Sequence, residues 1–138
     1  RQARSARWTT SVCPGAFILG AAGLLNGKRA TTHWAYHDLI ALFGAEPVQE
    51  RVVIDGALVT GGGVTAGVDF ALTLFAEIAG REAAQMIQTA LEYDPAPPFA
   101  AGSPAAAPEL AARLKSGPFA ERRAVMETAS RAALERLA

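Results

Sequence analysis

A single thiol stands in this sequence, Cys13, inside the run Thr10-Ser11-Val12-Cys13-Pro14-Gly15. β-Branched residues precede it, and an apolar run follows it. A cysteine at a strand-to-helix turn is held out of the sheet with its sulfur exposed, the arrangement of a nucleophile elbow. The helix N-terminus behind such a residue is expected to lower the thiol pKa and favour the thiolate, the reacting species. Gly15 permits the tight turn. The pattern C-x-G is shorter than the five-residue esterase elbow, so by itself it fits a buried structural cysteine better than a nucleophile.

His33 and His37 lie four residues apart. On one helix they would share a face, but no Glu stands between them and no third ligand is evident, so no metal site is expected. The better reading ends a strand at His33, with its ring turned toward the cysteine; the alternative is a hydrogen-bonded structural histidine. Gly61-Gly62-Gly63-Val64-Thr65-Ala66 fits G-x-G-x-x-A formally, yet no strand follows the helix it opens. It is expected to be a turn where backbone approaches backbone closely. Thr65 and Asp69 are expected to cap that helix and complement its dipole.

The elements that must position these residues alternate. Strands are expected over 8–13, 29–33, 51–54 and 58–60, the last two joined at Asp55-Gly56 as a hairpin. Helices are expected over 16–25, 35–43, 64–79 and 81–93, with Asn26-Gly27, Gly44 and Gly80 as stops. Residues 94–108 hold five of the eight prolines, which excludes a helix or a central strand and predicts an extended arm. Two tail helices follow, over 108–115 and 118–137. In the second, Glu127, Arg131 and Glu135 have i,i+4 spacing, and Val125, Ala129, Ala132 and Leu137 form a weak apolar stripe suited to a partner surface. The pattern indicates an α/β sheet in two parts, residues 1–93 with the elbow and residues 94–138 as arm and tail.

The 138 residues suffice for one domain, and 13 basic residues balance 13 acidic ones. That balance predicts neither nucleic acid nor an acidic membrane as a partner. One cysteine allows no internal disulfide and fits a cytoplasmic location. The apolar run over 16–25 is too short to span a bilayer. The opening RQARSAR is no signal peptide and lacks an initiating Met, so the chain is expected to begin inside a longer one.

The stretch TSVCPGAFILGAAGLLNGKRATTHWAYHDLIALFGAEPVQERVV resembles the isonitrile hydratases of the PfpI-like superfamily. The stretches DGALVTGGGVTAGVDFALTLFAEIAG and LEYDPAPPFAAGSP resemble them as well, in the same order. The resemblance implies a flavodoxin-like doubly wound α/β sandwich of which this chain is the C-terminal part, its N-terminal strands lying outside the sequence. It implies a homodimer and a nucleophile at Cys13, with Pro14 and Gly15 completing the elbow. It also implies hydration of an isonitrile to an N-substituted formamide through a thioimidate, without metal or organic cofactor. The family's acidic proton-transfer group lies before the matched stretch, so the general acid has no counterpart here. The family has Thr after the nucleophile where this chain has Pro14. Proline lacks an N–H, and losing one donor to developing negative charge costs about 2.7–4 kcal/mol in acyl transfer. Pro14 is therefore expected to lower turnover.

Two other functions fit the same scaffold: the sensing domain of a transcription regulator and an inactive fragment. The tail carries no basic recognition helix, which argues against the first. A protease-like or chaperone-like site with His directly after the cysteine is excluded by Pro14.

Overall fold

A computed structural model describes residues 2–137. Strand β1 (Thr9–Val12) leads through Cys13 and Pro14 into helix α1 (Gly15–Ala21). Strand β2 (Arg29–Ala30), a 3-10 helix (Trp34–Phe43), strand β3 (Glu46–Pro47), and strands β4 (Val52–Asp55) and β5 (Leu58–Gly61) follow. Helices α2 (Ala66–Ala79) and α3 (Arg81–Ala90) come next, then the proline-rich arm, then α4 (Pro108–Ser116) and α5 (Ala120–Glu135).

The architecture is α/β, with a three-stranded mixed sheet in the order β1-β5-β4. β1 runs parallel to β5 with Val12 opposite Gly61, and β4 runs antiparallel to β5 with Val52 opposite Gly61. That register brings the end of β1, where the cysteine follows, level with the glycine run that ends β5. The β4–β5 hairpin turns at Gly56, whose φ of 62° falls where only a residue without Cβ rests comfortably.

β2 pairs in parallel with β3 in a separate two-stranded sheet. The sequence pattern missed β3 because two residues, one of them proline, carry no periodicity. It also carried the preceding strand too far: after Ala30 the chain leaves the ladder, and Thr31 and Thr32 hydrogen-bond elsewhere. The segment over 35–43 is a 3-10 helix rather than an α-helix. Ten residues is long for that form. It ends as expected at Gly44, left-handed with φ 75°.

The core lies between α1, the 3-10 helix, β2 and α5. Ala16, Phe17, Leu25, Ala30, Ala35, Tyr36, Leu39, Ile40, Phe43 and Ala133 form it. Phe17 meets Tyr36 and Phe43 edge-on at 6.5 and 6.1 Å between centroids, a favoured aromatic geometry. Phe43 lies so close to α1 that any Cβ at Gly20 would enter its ring. The helix therefore needs glycine there for packing, not for a bend.

The tail does not stand apart from this core. Phe119, Met126 and Leu134 pack against it and Ala133 lies within it, while Val125 and Leu137 of the expected stripe stay exposed. Arg123 fixes the contact: it donates to the Ala35 carbonyl at 2.9 Å and pairs through two nitrogens with the Asp38 carboxylate. Arg131 pairs with Glu127 along α5 as the spacing predicts.

Candidate active site

Cys13 joins β1 to α1 with a φ of 59°. A non-glycine residue rarely enters this left-handed region, and one that does is held there by its surroundings. The holding contacts are specific. The Cys13 N–H donates to the carbonyls of Gly61 and Gly62 at 3.0 and 2.8 Å. The Cys13 carbonyl accepts the Thr32 hydroxyl at 2.6 Å and the Ala16 N–H at 3.4 Å. The strain sits on the cysteine itself rather than on Gly15. A Cβ at Gly15 would touch only the Ser11 Cβ, at 3.4 Å. Pro14 takes φ −62° at the head of α1, the conformation that proline favours at a helix start. It offers no N–H beside the sulfur.

The thiol differs from the expectation drawn from the helix behind it. Burial pushes the Cys13 thiol above its ordinary value. Helix α1 has seven residues, and no cation contributes to counter the loss of solvation. Desolvation disfavours the thiolate.

His33 heads the 3-10 helix, where its Nδ1 accepts the Ala35 N–H at 3.2 Å. That bond assigns the tautomer: a neutral ring with its proton on Nε2. Burial lowers the His33 pKa, which keeps the ring neutral. Its Cδ2–Nε2 edge faces Gly63, with Cδ2 3.4 Å from where a Cβ would stand. His33 thus follows the residue that holds the Cys13 carbonyl and touches the residue after the one that holds its N–H. Among the described residues no hydrogen bond joins His33 to the sulfur, so the structure brings the two into one neighbourhood without pairing them. Nor do the described residues gather three metal-ligating side chains anywhere.

The glycine run is a turn bound by backbone hydrogen bonds, and a side chain at Gly62 would meet its neighbours only at ordinary contact distance. The Gly62 N–H donates to the Arg51 carbonyl at 2.9 Å, and a Cβ at Gly62 would lie 3.7 Å from the carbonyls of Glu50 and Arg51. Asp69 falls in the first turn of α2, but the Thr65 side chain makes no capping bond. Arg51 instead ties the two together, donating from Nε to Asp69 at 2.6 Å and from a guanidinium nitrogen to the Thr65 carbonyl at 3.0 Å. The Tyr93 hydroxyl donates to the other Asp69 oxygen at 3.2 Å, tying the start of the arm to α2.

Sequence reasoning passed over Thr31 and Thr32. Both are buried. The Thr31 N–H donates to the Thr60 hydroxyl at 2.9 Å, and the Thr31 hydroxyl donates to the Glu50 carbonyl at 3.1 Å. Two hydroxyls at the end of a strand, next to a histidine, were the available signal. Phe119 gave no such signal; its ring lies 5.4 Å from His33, 86 residues away in the chain. A cavity of about 510 Å³ opens between Pro14, Tyr36 and α5 residues including Val125 and Met126. The tail therefore borders the elbow.

The family's sequence model, described as DJ-1/PfpI family, matches residues 1–77. The chain belongs to the DJ-1/PfpI family. An isonitrile hydratase of Pseudomonas putida is 65% identical over 107 residues, covering 78% of this chain and 47% of that protein. A crystal structure of a ThiJ/PfpI family protein from Pseudomonas syringae superposes with a TM-score of 0.85 at 44% identity, covering 91% of this chain and 52% of that one. A helix-turn-helix transcriptional regulator of Pseudomonas aeruginosa is 39% identical over 77 residues, covering 53% of this chain and 22% of that protein. This DJ-1/PfpI chain spans about half the length of the Pseudomonas putida and Pseudomonas syringae relatives.

Proposed function

We propose that this chain carries the nucleophile of an isonitrile hydratase, with Cys13 as the attacking group. The observation that supports it most is the Cys13 elbow, left-handed and held by Gly61, Gly62 and Thr32, in a chain so similar to an isonitrile hydratase. Strain of this kind is kept where it places a reacting atom.

The reaction is R–N≡C + H₂O → R–NH–CHO. The Cys13 thiolate attacks the terminal carbon and forms a C–S bond. A proton added to that carbon gives the thioimidate Cys13–S–CH=N–R. Water then adds to the same carbon, a proton reaches nitrogen, and the C–S bond breaks to release the formamide and the thiolate. No metal or organic cofactor takes part. His33, neutral with its proton on Nε2, is the near-site group. Burial alone shifts both Cys13 and His33; the general acid is assigned to a group outside these residues, as the family resemblance implies. The larger architecture we assign is a flavodoxin-like doubly wound sandwich in a cytoplasmic homodimer, with the arm and tail near the partner. Within the described residues no helix is long and apolar enough to cross a membrane.

Pro14 bears on rate rather than on chemistry, since it removes one donor beside the developing charge. The test is formation of N-substituted formamide from a ¹³C-labelled alkyl isonitrile, followed by NMR. The proposal expects product with the native chain in its full protein and none above background with Cys13→Ser. Equal rates for the two would overturn it.

A further inference from the structure

The tail returns an aromatic ring to the elbow's neighbourhood, and a clamp fixes where that ring sits. Phe119 lies 5.4 Å from the His33 ring, 5.6 Å from Trp34 and 6.1 Å from Tyr36, centroid to centroid. Four residues later, on the same face of the tail, Arg123 donates to the Ala35 carbonyl and grips Asp38 with two nitrogens. The Arg123 backbone N–H donates to the Phe119 carbonyl at 2.8 Å, so clamp and ring move as one unit. Ala35 is also the residue whose N–H fixes His33 Nδ1. The imidazole is thus bounded by the Ala35 N–H, by Phe119, Trp34 and Tyr36, and by Gly63, where a Cβ would stand 3.4 Å from its Cδ2. Only the Phe119 wall comes from outside the elbow half of the chain.

We propose that Phe119 is a positioning residue for the Cys13 site, holding the His33 ring with its Nε2 edge against Gly63 while Arg123 and Asp38 set the register of the tail. The inference rests on the hydratase reading for its effect on rate, but not for its effect on the ring. An apolar neighbour that only filled space would stabilise the fold without selecting a ring orientation. Phe119 and Tyr36, which lines the cavity beside Pro14, are in edge contact, so the same residue shapes the wall nearest the elbow.

The test uses imidazole ¹⁵N NMR of His33, assigned with His33→Gln, together with isonitrile turnover in the full protein. The parent is expected to show a single Nε2–H tautomer and a nuclear Overhauser contact to Gly63. Phe119→Ala is expected to mix the tautomers, lose that contact and lower kcat about tenfold with KM little changed, as misplacement of a site group does. Phe119→Tyr, which keeps the ring, is expected to restore most of both, and Phe119→Leu, which only fills space, is not. Asp38→Asn, which loosens the clamp without removing the Phe119 side chain, is expected to shift the same His33 signals and serves if Phe119→Ala does not fold. Unchanged His33 signals in these variants would overturn the inference, as would altered signals with unchanged turnover. A parent without isonitrile turnover would instead sink the hydratase reading, and the NMR result would then decide the ring placement alone.

Discussion

Cys13 holds a conformation that costs free energy, and two opposed hydrogen-bonding groups keep it there. Its N–H is taken by Gly61 and Gly62 and its carbonyl by Thr32. Thr32→Val keeps the shape and removes the donor to a buried carbonyl. It should lower stability by about 1–2 kcal/mol, read by urea unfolding, because the carbonyl loses its best partner. Burial raises the Cys13 pKa, so the thiolate fraction at neutral pH is smaller than for a free cysteine. Alkylation by iodoacetamide should therefore be slower than that of a model thiol at neutral pH. It should keep rising beyond the pH at which the model thiol levels off, because the group is still ionising there. Pro14→Thr restores an N–H beside the sulfur and should raise kcat for isonitrile hydration in the full protein; an unchanged kcat would show that this donor is not used. At this scale the sequence was readable where chemistry is carried by residue type. The cysteine, the proline and the histidine could be singled out, but the bonds of Thr31 and Thr32 could not, because the strand before them ends three residues earlier than its pattern.

At the scale of elements, the tail is held by one clamp and a few apolar contacts. Arg123 beside Asp38 is the main cause holding the Asp38 carboxyl below its ordinary pKa. A carboxylate depressed in the folded state contributes stability above its unfolded pKa, and that contribution is lost as pH falls through the lower folded value. Docking of α5 should therefore loosen on acidification below the ordinary Asp range, read by hydrogen exchange of α5 amides. Asp38→Asn should show the loosening already at neutral pH. Asp38 is 57% exposed, so screening keeps the effect to about 1 kcal/mol or less. The contact of α1 with Phe43 is less forgiving. Gly20→Ala would drive a methyl into the Phe43 ring and should cost about 1–3 kcal/mol in thermal or urea unfolding. Most elements were legible because their apolar periods and glycine stops agree, as at Gly44, Gly56 and Gly80. The 3-10 form of the second helical segment and the two-residue β3 were not, because each is set by tertiary contacts rather than by period. The face that α5 buries against its own chain was not legible. The stripe through Val125, Ala129, Ala132 and Leu137 was expected to meet a partner, whereas the small residues Ser130 and Ala133 are the ones buried within the chain.

At the scale of the molecule, the elbow, the glycine turn and the tail converge on one end of the mixed sheet, because Val12 and Gly61 are in register there. The proposed nucleophile, Cys13, sits at that convergence. The convergence also explains why a single thiol in a chain of balanced charge could be read as a reactive group at all: its neighbours supply a strained turn rather than a charge. The claim on which everything else depends is that Cys13 forms the covalent bond. Intact-protein and peptide mass spectrometry after rapid acid quenching of the full protein with a simple alkyl isonitrile tests it directly. The account predicts an adduct equal in mass to the isonitrile, confined to the peptide that contains Cys13 and absent from Cys13→Ser. Formamide release that continues in Cys13→Ser, or an adduct on a different residue, would contradict it.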